Sequence, residues 1–99
     1  DGLHPDGAVT DAEGNLWIAQ WGAGRVACHA ADGRFLRAVA VGARQSSCPG
    51  FGGAGFDRLF VTTAREGYGP DDLAADPLAG QVFEVAAGAV GLAEPRVRL

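Results

Sequence analysis

Apolar positions in this chain come in short alternating runs, broken every few residues by clusters of Gly, Asp, Asn and Pro. Period-two alternation over four to eight residues, closed by turn formers, predicts strands rather than helices. The first half predicts four of them, over residues 7–10, 16–20, 25–29 and 35–41. The turns between them read Asp11-Ala12-Glu13-Gly14, Gly22-Ala23-Gly24 and Ala31-Asp32-Gly33. The last of these carries the Asp-Gly pair that favours tight hairpins. In the second half, a strand starts at Cys48, Phe56-Asp57 turns the chain, and strands follow over 59–63 and 81–85. Gly88 turns the chain again, and residues 90–99 read as a weak last strand or a tail. Trp17 and Trp21 lie four apart, on one face of a continuous strand, where core packing accounts for them. No segment shows an apolar face at helical spacing. Asp71-Asp72-Leu73-Ala74-Ala75 reads as a solvated surface loop, with one acidic-started helical turn as the alternative.

The two halves repeat each other. Asn15-Leu16-Trp17-Ile18-Ala19 matches Arg58-Leu59-Phe60-Val61-Thr62 at an offset of 43, which Gly7 and Gly50 share. Gly24-Arg25-Val26 matches Gly80-Gln81-Val82 at an offset of 56, so the second unit carries about thirteen extra residues, over 66–79. Four short strands per unit and a period near 40–45 residues are the arithmetic of β-propeller blades. The predicted fold class is all-β, with two adjacent four-stranded antiparallel sheets. The units span about 5–43 and 46–87, with a tail over 88–99. Open sheet edges would let such a piece associate through them.

Composition narrows the function. Sixteen of 99 residues are glycine, consistent with many tight turns, and 47% are apolar, against disorder. The net charge is −4 and the eight basic residues, all Arg, are scattered, so nothing forms a patch for a phosphate backbone. No apolar run approaches the roughly 20 residues of a membrane-spanning helix. Neither nucleic acid nor membrane is an expected partner. The chain opens Asp1-Gly2-Leu3 with no Met, which reads as a piece of a longer protein. Cys28 and Cys48 stand twenty apart, a spacing that suits no zinc motif, and they read as two buried, reduced thiols in a cytoplasmic protein.

Several strings are more specific than strand grammar requires. They are Pro5-Asp6-Gly7 followed by Asp11-Ala12-Glu13-Gly14-Asn15-Leu16-Trp17, then Ser47-Cys48, Phe51-Gly52-Gly53 and Leu59-Phe60-Val61-Thr62, and finally Pro77-Leu78-Ala79-Gly80 before Val82-Phe83. With these strings the chain resembles the C-terminal third of the SMP-30/gluconolactonase/regucalcin-like family, from Leu3 to about Arg96. The resemblance implies a six-bladed β-propeller, of which this chain would be two adjacent blades. It implies a metal-dependent hydrolase acting on a sugar lactone, with the other blades as the chain's partners.

Asp6 is the candidate site residue, as metal ligand and as catalytic base. The resemblance puts the aspartate of Pro-Asp-Gly at the inner end of a blade. There it would bind a divalent cation (Ca, Zn, Mn or Mg) and serve as general base for lactone opening. On spacing alone, Asp6 reads equally as a turn residue beside Gly7. The family's other ligands, a glutamate and asparagines, belong to blades preceding this segment. Asn15, Glu13 and Glu66 all read as turn or loop residues. His4 reads as a solvated residue at a strand entry, and His29 as a surface residue. Cys48 reads as packed and unreactive. Neither His has a nucleophile at a fixed spacing, so no Ser-His-Asp set is expected. The glycine clusters lack a following Lys-Ser/Thr and are not phosphate loops. The expectation is thus part of a lactonase, incomplete alone. The alternatives are a non-catalytic propeller scaffold or ligand-binding module, and a hydrolase propeller of different chemistry.

Overall fold

The computed structural model describes residues 3–98. They form two antiparallel sheets, each a meander in chain order. The first contains β1 (His4–Thr10), β2 (Leu16–Trp21), β3 (Arg25–His29) and β4 (Phe35–Ala40). The second contains β5 (Ser46–Gly52), β6 (Arg58–Thr63) and β7 (Val82–Val85). A short helix, α1 (Pro70–Ala75), lies between β6 and β7. No described helix is long and apolar enough to cross a membrane.

The strand pattern follows burial. On β2, Trp17 and Ala19 are buried while Leu16, Ile18 and Gln20 are half-buried. On β6, Leu59, Val61 and Thr63 point inward and alternate with Arg58, Phe60 and Thr62. On β3, flanked by β2 and β4, Val26, Ala27 and Cys28 are buried in succession. The core joins Trp17, Val26, Cys28 and Val41 of the first half to Leu59, Val61 and Ala87 of the second. Phe51 of β5 meets Trp17 edge to face, with ring centroids 6.1 Å apart, a favoured aromatic geometry.

Polar bonds also join the sheets. The Gly22 and Gly24 amides both donate to the Arg44 carbonyl, at 3.0 and 2.8 Å. Gly24 turns left-handed there (φ 64°), and a Cβ on it would lie 3.2 Å from the Ala43 carbonyl oxygen. The buried Ser46 hydroxyl sits 3.1 Å from the Gln20 carbonyl and 3.0 Å from that of Arg25. These contacts hold the first strand of the second sheet beside β1 and β2.

Three expectations are corrected. The second sheet has three strands among the described residues, not four. After Val85 the chain turns at Gly88 (φ 69°) and returns to the far end of the first sheet. There Gly91 bridges Asp11 and donates to the Phe56 carbonyl at 2.7 Å, and the Val90 carbonyl accepts from Ala12 at 2.7 Å. The tail therefore spends its backbone bonds on a crossing between sheets. Second, residues 70–75 form a helix rather than a loop. Pro70 sits in its first turn, Asp71 and Asp72 complement the N-terminal dipole, and the Asp72 carboxylate accepts the Gly69 amide at 3.0 Å. Third, Cys28 is buried but Cys48 is exposed; both are free thiols.

Candidate functional site

The β1–β2 ladder pairs Pro5 with Gln20 and Ala8 with Ile18, and its register shifts between them. Asp6 and Gly7 thus oppose the single residue Ala19, the two-against-one arrangement of a β-bulge. A bulge bends its strand and re-aims a side chain. Asp6 is exposed. Among the described residues, no ion pair engages its carboxylate.

Beside this bulge stands another. On β5, Ser46 pairs with Thr63 and Cys48 with Thr62, so Ser47 is the extra residue. Gly7 is packed directly on it, since a Cβ built on Gly7 would lie 2.8 Å from the Ser47 carbonyl oxygen and 2.8 Å from Cys48 Sγ. The Ser47 and Thr62 hydroxyls share a hydrogen bond of 2.7 Å, and Thr62 Oγ1 lies 3.3 Å from the Cys48 carbonyl oxygen. Two hydroxyls and an exposed thiol therefore lie where the two sheets meet, on the strand against which Gly7, the residue after Asp6, is packed. Among the described residues, no three His, Cys, Asp or Glu side chains converge to hold a metal ion. An aspartate oxygen suits a hard divalent cation, but such ions take six or more oxygens. Asp6 offers an oxygen donor of that type, and among the described residues no group of three metal-ligating side chains stands with it.

Of the remaining sequence candidates, only His4 lies near Asp6. His4 pairs with Trp21 at the same end of β1 and is exposed. His29 pairs with Leu16 and packs edge to face on Phe35, at the opposite end of the sheet. Glu13 and Asn15 lie in the β1–β2 turn, where their amides donate to Asp11. Glu66 is exposed in the connection after β6.

Two buried carboxylates that hold this scaffold were not singled out by sequence. Asp11 is 2% exposed. Its Oδ1 accepts the Glu13 and Asn15 amides at 2.9 and 3.0 Å, and its Oδ2 accepts Trp17 Nε1 at 2.9 Å. Burial pushes its pKa up, but the bonds from Trp17, Asn15 and Glu13 together outweigh that and hold it below the usual range. The spacing Asp-x-x-Gly-Asn before an apolar run was a usable signal, since Asp folds turns by accepting amides two residues on. Asp76 ends α1. It accepts the Tyr68 hydroxyl at 2.6 Å and the Arg44 amide at 3.0 Å, and it pairs with the Arg44 guanidinium at 3.6 Å. The Tyr68 bond is foremost in lowering its pKa. That clasp ties the 66–79 segment to the link between the sheets.

Residues 1–65 match the family described as SMP-30/Gluconolactonase/LRE-like region. A putative sugar lactone lactonase of Rhizobium meliloti is 47% identical over 94 residues, covering 95% of this chain and 32% of that protein. An L-arabinolactonase of Azospirillum brasilense is 46% identical over 92 residues, covering 93% and 30%. Among solved structures, a calcium-binding protein, regucalcin, from Agrobacterium tumefaciens superposes with a TM-score of 0.94 at 40% identity, covering 98% of this chain and 33% of that one. The chain spans about a third of the length of these relatives.

Proposed function

The chain belongs to the SMP-30/gluconolactonase/LRE-like family, and from that premise we propose that it is the Asp6-bearing part of a sugar-lactone hydrolase. Its two sheets are two neighbouring blades of a six-bladed propeller, over about 5–43 and 46–87, with 88–99 as a tail. The observation that carries the reading is Asp6 itself, an exposed carboxylate on a bulge beside the junction of the sheets, with no ion pair among the described residues. Asp11 and Asp76 look different, buried and saturated with donors, and the other exposed carboxylates without an ion pair among the described residues, Glu13, Asp57, Glu66, Asp71 and Glu94, lie outside the strands.

In this reading Asp6 has two tasks. It is one oxygen ligand of a divalent cation, and its carboxylate takes the proton from the water that attacks the lactone carbonyl. A divalent cation bound there would polarise that carbonyl and stabilise the oxyanion that forms. The remaining blades of the longer chain would be its partners, and the open sheet edges would let the segment associate with another copy when alone. The 99 residues alone would bind metal weakly and open no lactone faster than solvent, because one carboxylate leaves water to fill the coordination shell.

The test uses the full-length protein and a sugar δ-lactone, with and without added Ca²⁺, Zn²⁺ or Mn²⁺. Asp6→Asn and Asp6→Ala should each lower turnover by about 100-fold or more. Wild-type turnover by Asp6→Ala would refute the role of Asp6. Absence of lactone hydrolysis by the full-length wild type with each metal would favour a binding module over an enzyme.

A further inference from the structure

We propose that Gly7 is a positioning residue for the reaction, holding Asp6 in place by letting β1 nest against β5 more closely than any side chain would allow. The proposal rests on the reading of Asp6 given above. It explains why a glycine must follow that aspartate.

The backbone conformation does not demand glycine here, because Gly7 is outside the left-handed region that the turn glycines occupy. The demand comes from space. A Cβ on Gly7 would stand 2.8 Å from the Ser47 carbonyl oxygen, 2.8 Å from Cys48 Sγ and 2.9 Å from Cys48 Cβ. Real Cβ atoms essentially never come within 3.0 Å of such atoms, so something must shift. The obstacle has little room to yield, because one of the three atoms is backbone and its neighbours are fastened. Ser46 is tied through its hydroxyl to the Gln20 and Arg25 carbonyls, and Ser47 through its own to Thr62. The strand that can give way is β1, at its bulge, and the other bulge residue is Asp6.

Ordinary van der Waals contact begins at 3.4 Å, so an alanine at position 7 displaces the bulge by several tenths of an ångström. Catalytic groups must be held to within about 0.5 Å of their productive geometry, and a misplacement of about 1 Å costs about 100-fold. The expected loss for Gly7→Ala is therefore about 10-fold or more in kcat, with a matching weakening of metal binding. A glycine that only stabilised the fold would lower the melting temperature and leave the folded fraction with wild-type metal affinity.

The experiment compares full-length wild type, Gly7→Ala, Asp6→Asn and Gly7→Ala/Cys48→Gly, at a temperature where each is folded. Three quantities are read: kcat on a sugar δ-lactone, Mn²⁺ affinity by calorimetric titration, and melting temperature. The expected result is that Gly7→Ala loses about 10-fold or more in kcat and in Mn²⁺ affinity. The double variant, relieved of two of the three clashes, should recover part of both. If Asp6→Asn is crippled while folded Gly7→Ala matches wild type in kcat and Mn²⁺ affinity, the positioning role is overturned and the Asp6 reading survives. If Asp6→Asn matches wild type, the Asp6 reading itself falls, and this proposal with it. Where Gly7→Ala gives no folded protein, the double variant decides. Reduced Mn²⁺ affinity supports the proposal, because the Ser47 carbonyl still stands in the way, and wild-type affinity overturns it.

Discussion

Replacing Asp11 by alanine should be among the most damaging single changes to stability in this chain, although Asp11 lies in a turn. Its carboxylate holds three donors, the Glu13 and Asn15 amides and Trp17 Nε1. Hydrogen bonds to a charged partner contribute about 1.5–3 kcal/mol each when both groups are buried. The three are not equal. Glu13 is exposed and Asn15 half-buried, so water re-solvates those amides in part. Trp17 is fully buried, and its indole N–H has nowhere to turn. Leaving such a donor unpaired costs about 1–3 kcal/mol by itself. The sum for Asp11→Ala is about 3–4 kcal/mol, a large share of the roughly 5–15 kcal/mol that keeps a domain folded. With a urea m-value of about 1–3 kcal/mol/M, the midpoint should fall by about 1–4 M.

The pH dependence gives a second, independent signature. The folded pKa of Asp11 is depressed, so its contribution is complete above the unfolded value of about 3.9 and is lost as pH falls through the folded value. The stability gap between wild type and Asp11→Ala should therefore hold across neutral pH and narrow only below about pH 4. A double-mutant cycle with Trp17→Phe, which removes the N–H and keeps a ring, should give a coupling of about 1.5–3 kcal/mol. A cost for Asp11→Ala under about 1 kcal/mol, or a coupling near zero, would refute the assignment of the Trp17 bond as the main contribution.

Three further predictions concern the Tyr68–Asp76 clasp and the two thiols. Tyr68→Phe removes the 2.6 Å bond to Asp76 and should cost about 1–2 kcal/mol in urea unfolding; an unchanged midpoint would dissolve the clasp as a stabilising unit. Asp76 is lowered chiefly by the Tyr68 bond, and Tyr68 is raised chiefly by burial and then by Asp76. The clasp should therefore hold between about pH 4 and 10, weakening as pH falls through the folded Asp76 value or rises through that of Tyr68. Melting temperature against pH should show the alkaline limb shrink in Tyr68→Phe. Finally, iodoacetamide should label Cys48 in the native protein but reach Cys28 only on unfolding, because Cys28 is buried and burial, with Asp11 nearby, pushes its thiol pKa up; equal labelling rates would contradict the burial of Cys28.

The elements legible in sequence were those with local causes. Alternation at Leu16-Trp17-Ile18-Ala19 and its repeat at Leu59-Phe60-Val61-Thr62 marked β2 and β6 because one face of each is buried. The Asp32-Gly33 turn marked the β3–β4 hairpin. The missing fourth strand was not legible, because Gly91 binds Asp11 and Phe56, residues far back in the chain that no periodicity encodes. Helix α1 was hard to see because six residues show no face, and its signals, Pro70 with Asp71 and Asp72, also suit a loop. Asp6 was marked by resemblance, since its spacing alone suits a turn. Its bulge, and the exposure of Cys48 on the next one, depend on register, which single residues do not reveal.

The returning tail has a consequence for how the chain is assembled in time. Each strand pairs with the one made just before it in its own sheet, and all but the β6–β7 pair, which spans residues 64–81, close over a short loop at small entropic expense. During synthesis, β1 to β4 can zip as they emerge, and β5 can then dock on β1 and β2. The Asp11–Gly91 bridge and the Ala12–Val90 bond must wait. They close loops of some eighty residues, and they cannot form until the segment around Gly91 has been made. The far end of the first sheet thus stays unlatched while the second sheet is made, with Asp11 and its turn already in place.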